Sequence, residues 1–128
     1  MNVIISGASG FLGSNLSGYL SKYIDNIYFI PGRKINHLLS DGSDNIDFNS
    51  FFVHLAEPAL TTEYSKQTAS LLVKNVEILS KKFGPKLIYI SSALVYGDQS
   101  QIPFTEESEV KIVNDYTKLK LINEKTVL

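Results

Sequence analysis

The heptapeptide Gly7-Ala8-Ser9-Gly10-Phe11-Leu12-Gly13 constrains this chain more than any other stretch. Before it lies a short apolar run, Val3-Ile4-Ile5. After it Leu12, Leu16, Tyr19, Leu20 and Tyr23 recur at helical spacing, so a strand must pass through a glycine turn directly into a helix. Gly7 permits the tight turn, Gly10 lets the backbone approach a ligand, and Gly13 lets helix and strand pack closely. A helix N-terminus offers free N–H groups and a partial positive charge, which together suit a pyrophosphate. Gly7, Gly10, Phe11, Leu12 and Gly13 are therefore candidate cofactor-binding residues.

The rest of the chain repeats the alternation. The pattern predicts strands near residues 2–6, 27–30, 50–55 and 86–91, and helices near 11–23, 62–83 and 115–127. Thr61 or Thr62 can cap the long helix, Gly84-Pro85 stop it, and Asn114 or Asp115 can cap the last one. Residues 97–113 read as a polar loop. The run Gly42-Ser43-Asp44-Asn45 leaves no helix to be placed within 34–49. Strands alternating with helices imply βαβ units and a parallel sheet. The 128 residues suffice for one domain spanning 1–128, and 44% apolar with 20% charged residues is ordinary for a globular protein. A net charge of −1 gives no reason to expect nucleic acid or an anionic membrane as partner. No run approaches the roughly 18 apolar residues of a membrane span. With no basic segment before Val3, no signal peptide is expected. The chain has no cysteine and two distant histidines, His37 and His54, so no metal site is expected, and the composition fits the cytoplasm.

Several segments together resemble the extended short-chain dehydrogenase/reductases that modify nucleotide-linked sugars. The G-x-x-G-x-x-G spacing follows the first strand. His54-Leu55-Ala56 is similar to the family's H-x-A motif. Ser91-Ser92-Ala93-Leu94-Val95-Tyr96-Gly97 is similar to its Ser-Ser-x-x-Val-Tyr-Gly signature, and Tyr116-Thr117-Lys118-Leu119-Lys120 matches Y-x-x-x-K. The resemblance implies a Rossmann-like, doubly wound parallel sheet. It implies Tyr116, Lys120 and Ser92 as catalytic residues, and Leu55, Ala56, Ser91 and Lys120 as further contacts to a nicotinamide dinucleotide. Tyr116 and Lys120 stand at i and i+4, on one helix face. An ammonium beside a phenol favours phenolate, lowering its pKa from about 10 toward the working range. Tyr116 would then exchange a proton with a sugar hydroxyl or carbonyl as hydride moves. Lys120 would also hold the cofactor ribose, and Ser92 would hydrogen-bond the reacting oxygen.

Strand two ends at Ile30, where an acid would normally meet the ribose 2′-OH of NAD. Here Pro31, Gly32, Arg33 and Lys34 follow. Arg33 and Lys34 suit a 2′-phosphate, which favours NADP over NAD. Among the remaining candidates, His54 reads as a packed core histidine and Tyr96 as a structural residue. Glu57, where the family usually has a small residue, either sits exposed at the strand end or intrudes near the cofactor, and the exposed placement is the expectation. Asn75 lies too late in its helix to match the family's active-site Asn. No Asp or Glu stands directly after Ser92, which gives no support to a dehydratase. The chain departs from the family in two ways. The stretch between strands two and three is short, with Asp47-Phe48 as a remnant of the adenine-contacting pair. The sequence also ends at Leu128, within the Tyr116 helix, where the family continues into the sugar-binding part. The expectation is an N-terminal fragment or short relative, incomplete as a sheet, inactive alone and open to self-association. A non-catalytic dinucleotide-binding or interaction module is the alternative.

Overall fold

The computed structural model describes residues 1–36, 46–57, 65–97 and 103–128. Strand β1 (Asn2–Ser6) is buried over nearly its whole length, as a parallel strand covered on both faces must be. It pairs in parallel with β2 (Asn26–Ile30) on one side and β3 (Phe51–His54) on the other. β4 (Leu87–Tyr89) pairs in parallel with β3, giving the order β2-β1-β3-β4. Strand side chains alternate between faces, and the core divides accordingly. Val3, Ile5 and Val53 pack with Leu16 and Leu20 of helix α1 (Phe11–Leu20). Ile4, Phe52, Leu87, Ile30 and Ile35 pack on the other face. They meet Leu79 and Phe83 of α2 (Lys66–Phe83) and Val127 of α3 (Asp115–Val127). The result is a Rossmann-like α/β fold with helices on both faces of a parallel sheet.

Element bounds follow local chemistry. α1 stops at Leu20 rather than Tyr23, because Lys22 and Tyr23 donate to the carbonyls of Tyr19 and Leu20 and tighten the chain into turns. Both tyrosine rings, 5.2 Å apart, stay exposed. α2 is capped by Ser65, whose hydroxyl accepts from Thr68 N at 3.1 Å. Thr61 and Thr62 lie outside the described residues, as do His37 and Gly42 to Asn45. Within 34–49, Ile35 and Asn36 are helical after the single turn Gly32–Lys34. Ile35 is 1% exposed in the core, so part of that stretch is structural rather than loop.

Asp47-Phe48 is not an adenine-contacting remnant. Asp47 accepts from the side chain of Asn2, at the start of β1, at 3.1 Å, and from Asn49 N at 2.9 Å. The Phe48 ring rests on Phe83, centroids 5.4 Å apart. The pair thus closes a turn at the N-terminal rim of the sheet, opposite the glycine loop.

Candidate active site

In this strand order, the chain leaves β1 toward β2 on one side and leaves its neighbour β3 toward β4 on the other, and the crevice beyond the C-terminal ends of β1 and β3 is where such sheets bind ligands. The glycine loop opens into it. Gly7 adopts φ +78°, and a Cβ there would lie 2.8 Å from Ala56 N. A Cβ on Gly13 would come within 2.2 Å of the Gly7 carbonyl oxygen, so helix and strand meet at a distance only glycine allows. Gly10 is the N-cap of α1 and makes no side-chain cap, which leaves the first-turn N–H groups for an anion. Facing this loop, a cavity of about 830 Å³ is lined by Gly7, Ser9, Ser14, Pro31, Gly32 and Arg33, among others. Arg33 is thus brought to the glycine loop. Lys34, exposed in the same short turn, is not among the lining residues. The loop fits a pyrophosphate, since each of its three glycines stands where a side chain would crowd the backbone.

A second cavity, about 170 Å³, gathers Leu12, His54, Leu55, Glu57, Ile90, Ser91, Tyr116 and Lys120. Residues from four separate segments meet here because two strands end and two helices begin at the same rim. Ser6 ties two of them together. Its hydroxyl accepts from Leu55 N at 3.2 Å and Ala56 N at 3.4 Å, and lies 2.7 Å from His54 Nδ1. With both lone pairs used, its proton is left for Nδ1, which places the imidazole proton on Nε2. Burial holds the His54 pKa down at about 4, Lys120 adding to that and Glu57 opposing it. His54 is thus a neutral core histidine, 1% exposed. Ala56 packs against Gly32, where a Cβ would lie 2.5 Å from its own Cβ.

Helix α3 carries the Tyr–Lys pair. Asn114 and Thr117 cap it reciprocally: Asn114 Oδ1 accepts from Thr117 N at 2.8 Å, and Thr117 Oγ1 from Asn114 N at 3.2 Å. The Lys120 ammonium lies 5.7 Å from the Tyr116 ring centroid and 4.8 Å from that of Tyr89, and it donates to the Ile90 carbonyl at 2.6 Å. Ser91 donates to Glu124. Ser92 follows β4 in extended conformation. Its hydroxyl accepts from Leu94 N at 3.3 Å and so caps the short turn Ala93–Tyr96. Ser92 is not among the residues lining the small cavity. Tyr96 stacks on Phe104, centroids 5.1 Å apart. Phe11 is 83% exposed, and Asn75 is buried in α2.

Glu57 overturns the expectation of an exposed strand end. Its side chain is 8% exposed and forms an ion pair with Lys120, itself 7% exposed. Tyr89 OH donates to Glu57 at 2.9 Å, and the Asn123 amide donates to Glu57 and to the Tyr89 oxygen, each at 3.2 Å. A buried ammonium needs a partner, and Glu57 is the acid that the end of β3 delivers to it. Burial, then the charge of Glu57, pushes the Tyr89 phenol well above its ordinary range, so it remains a donor. The sequence reading missed Tyr89 and Asn123. Asn123 was findable, since it stands at i+7 from Tyr116 on the face that also carries Lys120. Among the described residues no cluster of His, Cys, Asp or Glu could hold a metal ion, and no helix is long and apolar enough to cross a membrane.

A doubly wound parallel sheet with a glycine-cradled helix N-terminus and a Tyr–Lys pair at its switch point defines the short-chain dehydrogenase/reductase class. Within that class, the chain belongs to the NAD dependent epimerase/dehydratase family, whose model matches residues 3–128. It is 27% identical to UDP-glucuronic acid decarboxylase 1 of Xenopus tropicalis, over 82% of this chain and 30% of that protein. In fold it is similar to the Bordetella bronchiseptica enzyme WbmG, solved with NAD and UDP: TM-score 0.77, 20% identity, 99% of this chain and 49% of that one. It is also similar to the human epimerase family protein SDR39U1, solved with NADPH: TM-score 0.71, 17% identity, 100% and 49% covered. The chain spans half or less of the curated relatives it matches first, 49% and 30% of their lengths.

Proposed function

We propose that this segment is the dinucleotide-binding and proton-transfer part of an enzyme that oxidises or reduces a nucleotide-linked sugar, with NADP(H) as cofactor. The observation that carries the reading is the convergence of Tyr116, Lys120 and Ser91 with Leu12 of the glycine loop on one small cavity. A bound nicotinamide would supply the hydride acceptor or donor. The chain's own residues do the rest. The first-turn N–H groups of α1 hold the pyrophosphate. Lys120 donates to a ribose hydroxyl. Tyr116 takes the proton from a sugar hydroxyl at its phenol oxygen, or returns it to a carbonyl. Ser92 accepts from Leu94 N, which leaves its hydroxyl proton to donate to the reacting oxygen. The 128 residues alone are expected to bind cofactor weakly and turn nothing over, because among the described residues no lobe encloses the sugar in a near-attack position. The relatives support a nucleotide-sugar substrate: one is a UDP-glucuronic acid decarboxylase and one was solved with UDP.

Preference for NADP(H) rests on Arg33 beside the glycine loop and on the lack of an acid at the end of β2. Calorimetric titration should show NADP(H) binding more tightly than NAD(H), and Arg33→Asp should narrow or reverse the difference. Equal affinities in the unmodified chain would remove the case for Arg33.

A further inference from the structure

The ion pair between Glu57 and Lys120 has unspent hydrogen-bonding capacity. A carboxylate offers about four acceptor sites. Tyr89 OH, the Asn123 amide and the Lys120 ammonium take three of them. An ammonium has three donors, and Glu57 and the Ile90 carbonyl take two. Among the described residues this leaves one acceptor and one donor on adjacent groups, and both groups line the same 170 Å³ cavity with Leu12, Ser91 and Tyr116. The cavity suits a single sugar ring rather than a whole nucleoside. A phosphate there would meet the carboxylate's charge. A vicinal diol meets both needs, since one hydroxyl can accept from the ammonium while its neighbour donates to the carboxylate.

We propose that Glu57 is a ligand-binding residue of this chain, which with Lys120 reads the vicinal diol of the second ribose of the dinucleotide. The inference rests on the dinucleotide reading above. Tyr89 and Asn123 fix the carboxylate from behind, so the pair is set before the ligand arrives. That lowers the ordering cost of binding. Glu57→Gln preserves shape but replaces one acceptor oxygen with a donor amide facing groups that already donate.

The test compares two ligands on the 128-residue chain by calorimetry. NADP+ carries both riboses. Adenosine 2′,5′-bisphosphate carries only the adenosine half and reports on the glycine loop and Arg33. Glu57→Gln should weaken NADP+ binding about tenfold, as for a lost hydrogen bond to a charged group, and leave the bisphosphate unchanged. Removing the 2′-hydroxyl of the nicotinamide ribose should cost a similar factor in the unmodified chain and much less in Glu57→Gln, because hydroxyl and carboxylate are partners. Loss of both ligands in the variant would make Glu57 purely structural and overturn the proposal. Tighter NADP+ binding would show the carboxylate obstructing the ribose, and an equal hydroxyl cost in both proteins would remove the contact; either overturns it. NADP+ binding no tighter than the bisphosphate in the unmodified chain would overturn it too while leaving the glycine-loop site standing. If neither ligand bound the unmodified chain, the dinucleotide reading would fall and Glu57's role with it.

Discussion

His54 and Ser6 meet at 2.7 Å on the last rung of the sheet, and the imidazole's burial has a measurable cost in acid. Its pKa lies at about 4 when folded, against 6.5 for the free side chain. The unfolded chain therefore binds more protons at this residue between those values. Stability from His54 is complete above pH 6.5 and is lost as pH falls toward 4. The difference amounts to roughly 3 kcal/mol. Urea midpoints measured between pH 7.5 and 4.5 should fall steeply in the unmodified protein and less steeply in His54→Asn, which keeps a polar partner for Ser6 but does not titrate. Parallel slopes would remove His54 as the cause. Tyr116 is the complementary case, a residue whose loss should spare the fold. In a protein that joins this segment to a sugar-holding part, Tyr116→Phe keeps the ring and removes the ionisable oxygen. Turnover should drop by roughly 10²–10⁴-fold with little change in cofactor affinity, as steady-state kinetics and titration would show.

At the scale of elements, α3 holds Tyr116, Lys120 and Asn123 in line, and the reciprocal cap at Asn114 fixes where that line begins. Asn114→Ala should lower stability by about 1 kcal/mol in urea unfolding, within the usual range for a lost N-cap. It should also weaken dinucleotide binding, because fraying starts two residues before Tyr116. The bounds of α3 were legible in the sequence because a capping asparagine precedes its helix directly. β2 was nearly so, since Pro31-Gly32 ends it. β3 and β4 come out shorter than their apolar runs suggest, because Leu55 and Ile90 continue past the last ladder pairs to line the site. The glycine loop and the Tyr–Lys pair could be read because their spacing is local. The Glu57–Tyr89–Asn123 cluster could not be read as a unit, because its members come from three distant segments and are neighbours only once the parallel register sets His54 opposite Tyr89. A lone Glu after a buried strand carries no mark of which lysine it will meet.

For the molecule as a whole, β2 and β4 are the edges of the described sheet. Tyr28 and Phe29 on β2 are 54% and 56% exposed, and Ile88 on β4 is 43% exposed. Apolar side chains on unpaired strand edges invite association. Sedimentation velocity of the 128-residue chain should show oligomers growing with concentration, and Phe29→Lys should reduce them. A stable monomer at high concentration in the unmodified chain would contradict this. The central place of β1 has a separate consequence for biosynthesis. β1 precedes both of its neighbours in sequence, with Asn2 paired to Asn26 and Val3 to Phe51. While the chain is still leaving the ribosome, Val3, Ile4 and Ile5 emerge before either of the strands they pair with. Pairing on both sides of β1 therefore waits on closure of the longer of these two loops. Through that interval the strand that ends up most protected is the one a chaperone would find bare.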